Sequence, residues 1–195
     1  MSRDSGWIEV ICGPMFCGKT EELIRRLRRA MYAQQKIRVF KPNIDDRYSD
    51  LEIVSHNQQR LKAEPVQGAL HIEQACGDGV EVVGIDEAQF FGDEIVGVAN
   101  RLADRRKRVI IAGLDQDFRG QPFGAMPQLM ACSEFVSKML SICVNCGNPA
   151  GRSQRLVASE DRVVVGAMEA YEARCRRCHR SSVVAPTARH QPVLF

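Results

Sequence analysis

Short apolar runs alternate along the chain with stretches in which apolar residues recur at helical spacing. Trp7-Ile8-Glu9-Val10-Ile11-Cys12, Ile37-Arg38-Val39-Phe40, Val80-Glu81-Val82-Val83-Gly84-Ile85 and Val109-Ile110-Ile111-Ala112 read as strands. The last two have the near-continuous apolar character of strands covered on both faces, as in a parallel sheet. Between them, Leu23, Ile24, Leu27, Ala30 and Met31 mark one face of a helix over residues 20–34. Further helices are expected over 70–76, 91–107 and 126–132, with weaker strands over 52–55 and 60–66. A strand-like stretch over 134–143 leads into a loop-rich, cysteine-punctuated segment. Strands alternating with helices predict a doubly wound α/β sheet, and no internal repeat interrupts the pattern.

Length and composition leave this picture intact. At 195 residues and 45% hydrophobic content, the chain has room for one α/β core and a small appendage. It has no apolar run of about 18 residues, and residues 1–5 lead into the first strand without a secretory h-region, so a cytoplasmic protein with no membrane partner is expected. A net charge of +3 is too mild to imply nucleic acid. Arg25, Arg26, Arg28 and Arg29 read as a solvated helix face, the alternative being a nucleic-acid groove.

The junction between the first strand and first helix carries the sharpest chemical signal. Gly13-Pro14-Met15-Phe16-Cys17-Gly18-Lys19-Thr20 spells G-x-x-x-x-G-K-T. Such a loop turns successive N–H groups and a helix N-terminus toward phosphate oxygens, while Lys19 reaches the β/γ-phosphates and Thr20 offers a hydroxyl to Mg²⁺. A nucleoside triphosphate is the expected ligand, but the motif leaves the reaction open. The strand over 80–85 delivers Asp86 and Glu87. In a phosphate-loop fold such an Asp holds Mg²⁺ opposite the Thr hydroxyl, freeing Glu87 to position or deprotonate the attacking oxygen. The alternative is that both acids cap the following helix.

Eight cysteines without an export signal point to metal or catalytic use. Cys143-x-x-Cys146 and Cys175-x-x-Cys178 each have the knuckle spacing that aims two thiolates at one ion, and four thiolates make a closed structural zinc site. Cys175-Arg176-Arg177-Cys178-His179 also matches a haem-attachment string, which would need export and would leave Cys143 and Cys146 without a role. His179 is a possible substitute ligand or an ordinary exposed side chain. A redox role for the pairs lacks a thioredoxin-like context. Arg174, Arg176, Arg177 and Arg180 could form a basic rim for nucleic acid, although no aromatics are interleaved to stack bases. Phe90, Phe91, Phe118, Phe123 and Tyr171, near element ends, could instead wall a nucleobase.

Taken in order, these strings resemble the cellular-type (type II) thymidine kinases over residues 7–179. The matching positions are Gly13 to Phe16 with Gly18 to Thr20, Asp45-x-Arg47-Tyr48, Ser55-His56, Asp86 to Phe91, Gly113-Leu114-Asp115-x-Asp117-Phe118 with Pro122-Phe123, Tyr171 and both cysteine pairs. The resemblance implies a P-loop, RecA-like parallel sheet flanked by helices, with a small zinc-ribbon-like lid. The boundaries implied are 1–142 for the nucleotide-binding domain, 143–180 for the lid and 181–195 for a flexible tail.

It further implies transfer of the γ-phosphoryl of ATP to the 5′-hydroxyl of thymidine, with Glu87 as general base, Lys19 and Arg47 assisting, and Asp45 ordering the loop around sugar and phosphates. ATP and Mg²⁺ would engage Gly13 to Thr20, including Cys17, together with Asp86 and Gln89. Met15, Phe90, Leu114, Phe118, Phe123 and Tyr171 would surround the thymine, and a lasso over 147–174 would close over it near Ser153 and Val164. A structural Zn²⁺ would anchor both ends of this lasso and so help exclude water from the transfer. A homotetramer inhibited by the thymidine triphosphate is also implied.

Two positions depart from the family pattern. Cys17 stands where Ser is usual, which suggests oxidation sensitivity beside the phosphates, and Gly166-Ala167 replaces Gly-Gly. The competing readings are a phosphate-loop ATPase with water as nucleophile and an ATP-gated zinc-ribbon module for nucleic acid.

Overall fold

The computed structural model describes residues 5–43, 52–54, 59–157 and 170–181. In chain order the elements begin with β1 (Trp7–Cys12), α1 (Lys19–Tyr32), β2 (Ile37–Pro42), β3 (Glu52–Val54), β4 (Arg60–Lys62) and β5 (Glu64–Val66). Then come α2 (Ala69–Ala75), β6 (Val82–Ile85), a 3₁₀ turn (Ala88–Phe90), α3 (Glu94–Asp104), β7 (Arg108–Gly113) and α4 (Met126–Cys132). The chain continues through β8 (Phe135–Lys138), β9 (Ser141–Ile142), β10 (Pro149–Ala150), β11 (Arg152–Arg155) and β12 (Tyr171–Arg174).

The main sheet has six strands in the order β5-β2-β6-β7-β1-β8, every pairing parallel. The strands feed two cores in strict alternation. Ile8, Val10, Val83, Ile85, Val109 and Ile111 face α2, α3 and α4. Ile11, Val39, Val82, Ile110 and Ala112 meet Leu23, Ile24, Leu27 and Ala30 of α1. Period-2 strands covered on both faces thus produce the unbroken apolar runs of the sequence. Met31, expected on the buried face of α1, is 48% exposed, the buried stripe of the helix ending at Ala30.

Three elements depart from the sequence expectation. The run over 60–66 changes partners at Ala63: β4 pairs antiparallel with β3, whereas β5 joins the sheet beside β2. Pro65 is tolerated because β5 is an edge strand. The run over 134–143 likewise divides into β8, at the opposite sheet edge, and β9, paired with β10. The helix expected over 91–107 is shorter, α3 alone, and follows a 3₁₀ turn and an extended Phe91.

Beyond the sheet lie two small antiparallel pairs, β9-β10 and β11-β12. Among the described residues their shared apolar cluster has Cys143, Ala150, Ala173 and Cys175 as its buried members. That is too little apolar area to stabilise an independent body. Among the described residues no helix is long and apolar enough to cross a membrane.

Candidate active site

Adjacent parallel strands end on one rim of the sheet, and the chemistry collects there. β1 runs into the phosphate loop, whose backbone reverses through left-handed conformations at Phe16 (φ 64°) and Gly18 (φ 84°). Gly13 has no room for a side chain: at its φ of 146° a Cβ would lie 2.4 Å from the Met139 carbonyl oxygen. Gly18 immediately precedes α1, so the first free N–H groups of a 14-residue helix point into the loop. Lys19 is buried and folds back, its ammonium donating to the Pro14 carbonyl at 2.7 Å and lying 3.9 Å from the Cys17 sulfur.

Two strands away, β6 delivers Asp86, and the Thr20 hydroxyl donates to its Oδ2 at 3.1 Å. Burial, together with the Glu87 charge beside it, pushes the Asp86 carboxyl up to about 7. A divalent cation at this pair would favour the carboxylate. Glu87 itself adopts a left-handed conformation, φ 52°, which costs energy for a residue with a Cβ. Its carboxylate accepts a short hydrogen bond from the Gln89 side-chain amide. The carbonyl of that buried amide accepts from the Leu114 N–H at 2.9 Å. Gln89 therefore links Glu87 to the end of β7, and neither acid acts as a side-chain cap.

The aromatic residues gather in two groups. Phe118 and Tyr171 are buried with Ala170 and pack against Met15, Phe16 and Val157. Phe90 and Phe123 meet edge to face, with ring centroids 5.6 Å apart. The Phe123 N–H donates to the carbonyl of Asp115, just after Leu114, so Leu114 and both groups lie along the same rim. Ser153 is buried on β11, and its hydroxyl accepts from the Met15 N–H at 3.0 Å. Ser141 reinforces this contact by donating to the Phe16 carbonyl at 3.1 Å. The lid is thus bonded directly to the phosphate loop. Asp45, Arg47 and Val164 lie outside the described residues, as do Tyr48, Ser55, His56, residues 158–169 of the lasso and nearly all of the tail.

The four sulfurs of Cys143, Cys146, Cys175 and Cys178 lie within 4.8 Å of one another, with Cys146 3.6 Å from both Cys175 and Cys178. A tetrahedral site with Zn–S bonds of about 2.3 Å needs sulfurs about 3.8 Å apart, so the donor set fits a tetrahedral metal. His179 is neither a fifth donor nor an exposed side chain. It is half-buried, and its Nε2 bonds the Phe118 carbonyl at 2.8 Å.

Several residues carry roles that their sequence context did not signal. Arg174 is buried against Glu172, which removes it from the basic rim. On α1, Arg26 bonds Glu9, Glu22 and Ser137 and Arg25 bonds Glu22, so that row is partly structural. Burial raises the Cys17 thiol above its ordinary value, against an opposing effect of Lys19. The reactive thiolate is thereby disfavoured, which argues against ready oxidation. Asp115 is buried with Lys138 at 2.8 Å, an ion-pair approach without hydrogen-bond geometry. Arg155, fully buried, stands over Phe118.

The profile of the thymidine kinase family matches residues 6–179. The chain belongs to that family. A curated relative, the thymidine kinase of Rhodothermus sp. (strain ITI 518), is 57% identical over 173 residues, spanning 89% of this chain and 81% of the relative. The chain is thus a kinase that phosphorylates thymidine, and the ATPase and nucleic-acid readings give way to it. The family's chemistry entails ATP and Mg²⁺, and the four-cysteine cluster can hold a metal.

Proposed function

We propose that the rim built from the phosphate loop, Asp86-Glu87 and the 114–123 segment carries out the transfer, with Glu87 as the base. The observation that carries this reading is the placement of Thr20 against Asp86 at 3.1 Å, with Glu87 next in the chain and held by Gln89. Lys19 would leave the Pro14 carbonyl for the β/γ-phosphates. Thr20 and Asp86 would hold Mg²⁺, which neutralises charge on the phosphate oxygens. Glu87 would take the proton of the thymidine 5′-hydroxyl as that oxygen bonds to the γ-phosphorus and ADP departs. Arg47 would stabilise the charge on the transferring group, and Asp45 would order its loop.

Met15, Phe90, Leu114, Phe118, Phe123 and Tyr171 would enclose the thymine, with Ser153 and Val164 on the lasso. The cysteine cluster would bind Zn²⁺, a choice supported by four thiolates at tetrahedral spacing. Residues 1–142 would form the nucleotide-binding domain, 143–180 the lid and 181–195 a flexible tail. Eight cysteines, none in a disulfide and four gathered in one cluster, favour a reducing compartment, consistent with the cytoplasm. A homotetramer inhibited by thymidine triphosphate extends the family resemblance.

Labelled ATP tests the reaction directly when supplied with thymidine, without it, and with single-stranded DNA. The expected outcome is label on thymidine in the first case alone. Label released as phosphate without thymidine would instead identify water as the acceptor. Sedimentation and initial rates with thymidine triphosphate address assembly and inhibition.

A further inference from the structure

Arg155 has the largest side chain that is fully buried in the described residues. Its guanidinium carbon lies 3.6 Å from the centroid of the Phe118 ring and 5.4 Å from that of Tyr171. Its Nη2 donates to the Tyr171 hydroxyl at 2.8 Å. A guanidinium removed from water carries a heavy desolvation penalty, and an apolar residue of similar volume usually serves stability as well or better. What Arg offers and an apolar residue cannot is a planar, permanently charged group that stacks on a ring and donates from its edge at the same time.

The two rings reach Arg155 from different parts of the chain. Phe118 follows β7 of the main sheet, whereas Tyr171 opens β12 of the lid. The lid also holds the Phe118 segment through its backbone. The His179 ring bonds the Phe118 carbonyl, and Arg152 donates to the Gly120 carbonyl at 3.2 Å. The backbone and ring of residue 118 are thus both held from the lid, the ring through Arg155.

We propose that Arg155 is a positioning residue for the nucleoside, fixing the plane of Phe118 and the direction of the Tyr171 hydroxyl. This rests on the reading of Phe118 and Tyr171 as walls of the thymine site. Arg155 acts on these two side chains, which also pack against Met15 and Phe16 of the phosphate loop, so its effect falls first on the nucleoside and only weakly on ATP. The lysine variant keeps the charge but cannot stack and donate together.

The test is steady-state kinetics with thymidine and ATP on Arg155→Met, Arg155→Lys, Tyr171→Phe, Phe118→Ala and the double variant Arg155→Met/Tyr171→Phe, each with its melting temperature. The expected result is a rise in thymidine KM of about tenfold or more in Arg155→Met, with ATP KM within about twofold of wild type. Arg155→Lys should fall between the two. The double variant should be no worse than Arg155→Met alone, because both changes break one unit.

Thymidine KM unchanged in a folded Arg155→Met or Arg155→Lys would overturn the proposal, as would ATP and thymidine KM rising together with a lowered melting temperature. Should Arg155→Met not fold, Arg155→Lys and Tyr171→Phe decide by the same split. Phe118→Ala separates the two levels. If it leaves thymidine KM unchanged, the underlying site reading fails. If it raises thymidine KM while the Arg155 variants do not, only the role of Arg155 fails.

Discussion

The hydroxyl of Ser153, on the lid strand β11, accepts a hydrogen bond from the backbone N–H of Met15, inside the phosphate loop. A lid residue thus satisfies a donor of the very loop expected to hold ATP, so the two elements share one contact. Ser153→Ala leaves that partly buried N–H without its partner, at a cost of about 1–2 kcal/mol. The expected outcome is a lower melting temperature and an ATP KM raised about threefold to tenfold. Initial rates at varied ATP read this, and an unchanged ATP KM would separate the lid from the loop energetically.

Glu87 is strained in its backbone and tied through Gln89 to the Leu114 N–H. Replacing it with Gln keeps the shape but removes the proton acceptor. In Glu87→Gln, kcat should fall by about 10²–10⁴, while ATP binding measured by calorimetry stays near wild type. A kcat close to wild type would remove Glu87 from the base role. Gln89→Ala should produce a smaller loss, since it releases the orientation of Glu87 and leaves its chemistry in place.

The sheet was legible in the sequence because β6 and β7 are covered on both faces and show it in every residue. The phosphate loop and both knuckles were legible because backbone chirality and metal geometry impose spacing. What escaped was decided by partners distant in sequence. The run through Ala63 reads as one strand, since nothing local marks the residue at which β4 leaves β3 and β5 joins β2. Likewise nothing local in Arg152-Ser153-Gln154-Arg155 marks Ser153 and Arg155 as buried against residues 15, 118 and 171. His179 looked exposed or metal-bound for the same reason: its partner, the Phe118 carbonyl, lies 61 positions away.

The cysteine cluster makes a separable prediction. With so few buried apolar residues in its own cluster among the described residues, the lid is expected to depend on a metal for cohesion, and a structural zinc would contribute roughly 10–16 kcal/mol of apparent binding free energy. Among the described residues the two cores of the sheet contain no lid residue. Chelation, or Cys146→Ser, should therefore abolish thymidine-dependent turnover while far-UV circular dichroism keeps most of its helical signal. Metal analysis should return about one zinc per chain before chelation. Loss of the helical signal in step with the metal would mean that the sheet also requires the lid.

Glu9 supplies the pH prediction. It lies buried on β1 between Arg26 of α1 and Arg108 of β7, at 2.8 and 2.6 Å, and accepts from the Trp7 indole N–H. Burial alone would raise its carboxyl, but hydrogen bonds from Arg108, Trp7 and Arg26 outweigh it and hold the group below the usual 4.5. Its folded value is depressed, so the unfolded chain takes up a proton first as the solution is acidified. The stabilisation is complete above about pH 4.5 and is lost as pH falls through the lower, folded value. Glu9→Gln leaves two arginines facing a neutral amide and should cost on the order of 3 kcal/mol at neutral pH. Urea midpoints for both proteins, taken from neutral pH to about pH 3, should draw closer together toward the acid end. A gap that stays constant over that range would show that shape, and not the ionised carboxylate, is what β1 requires at this position.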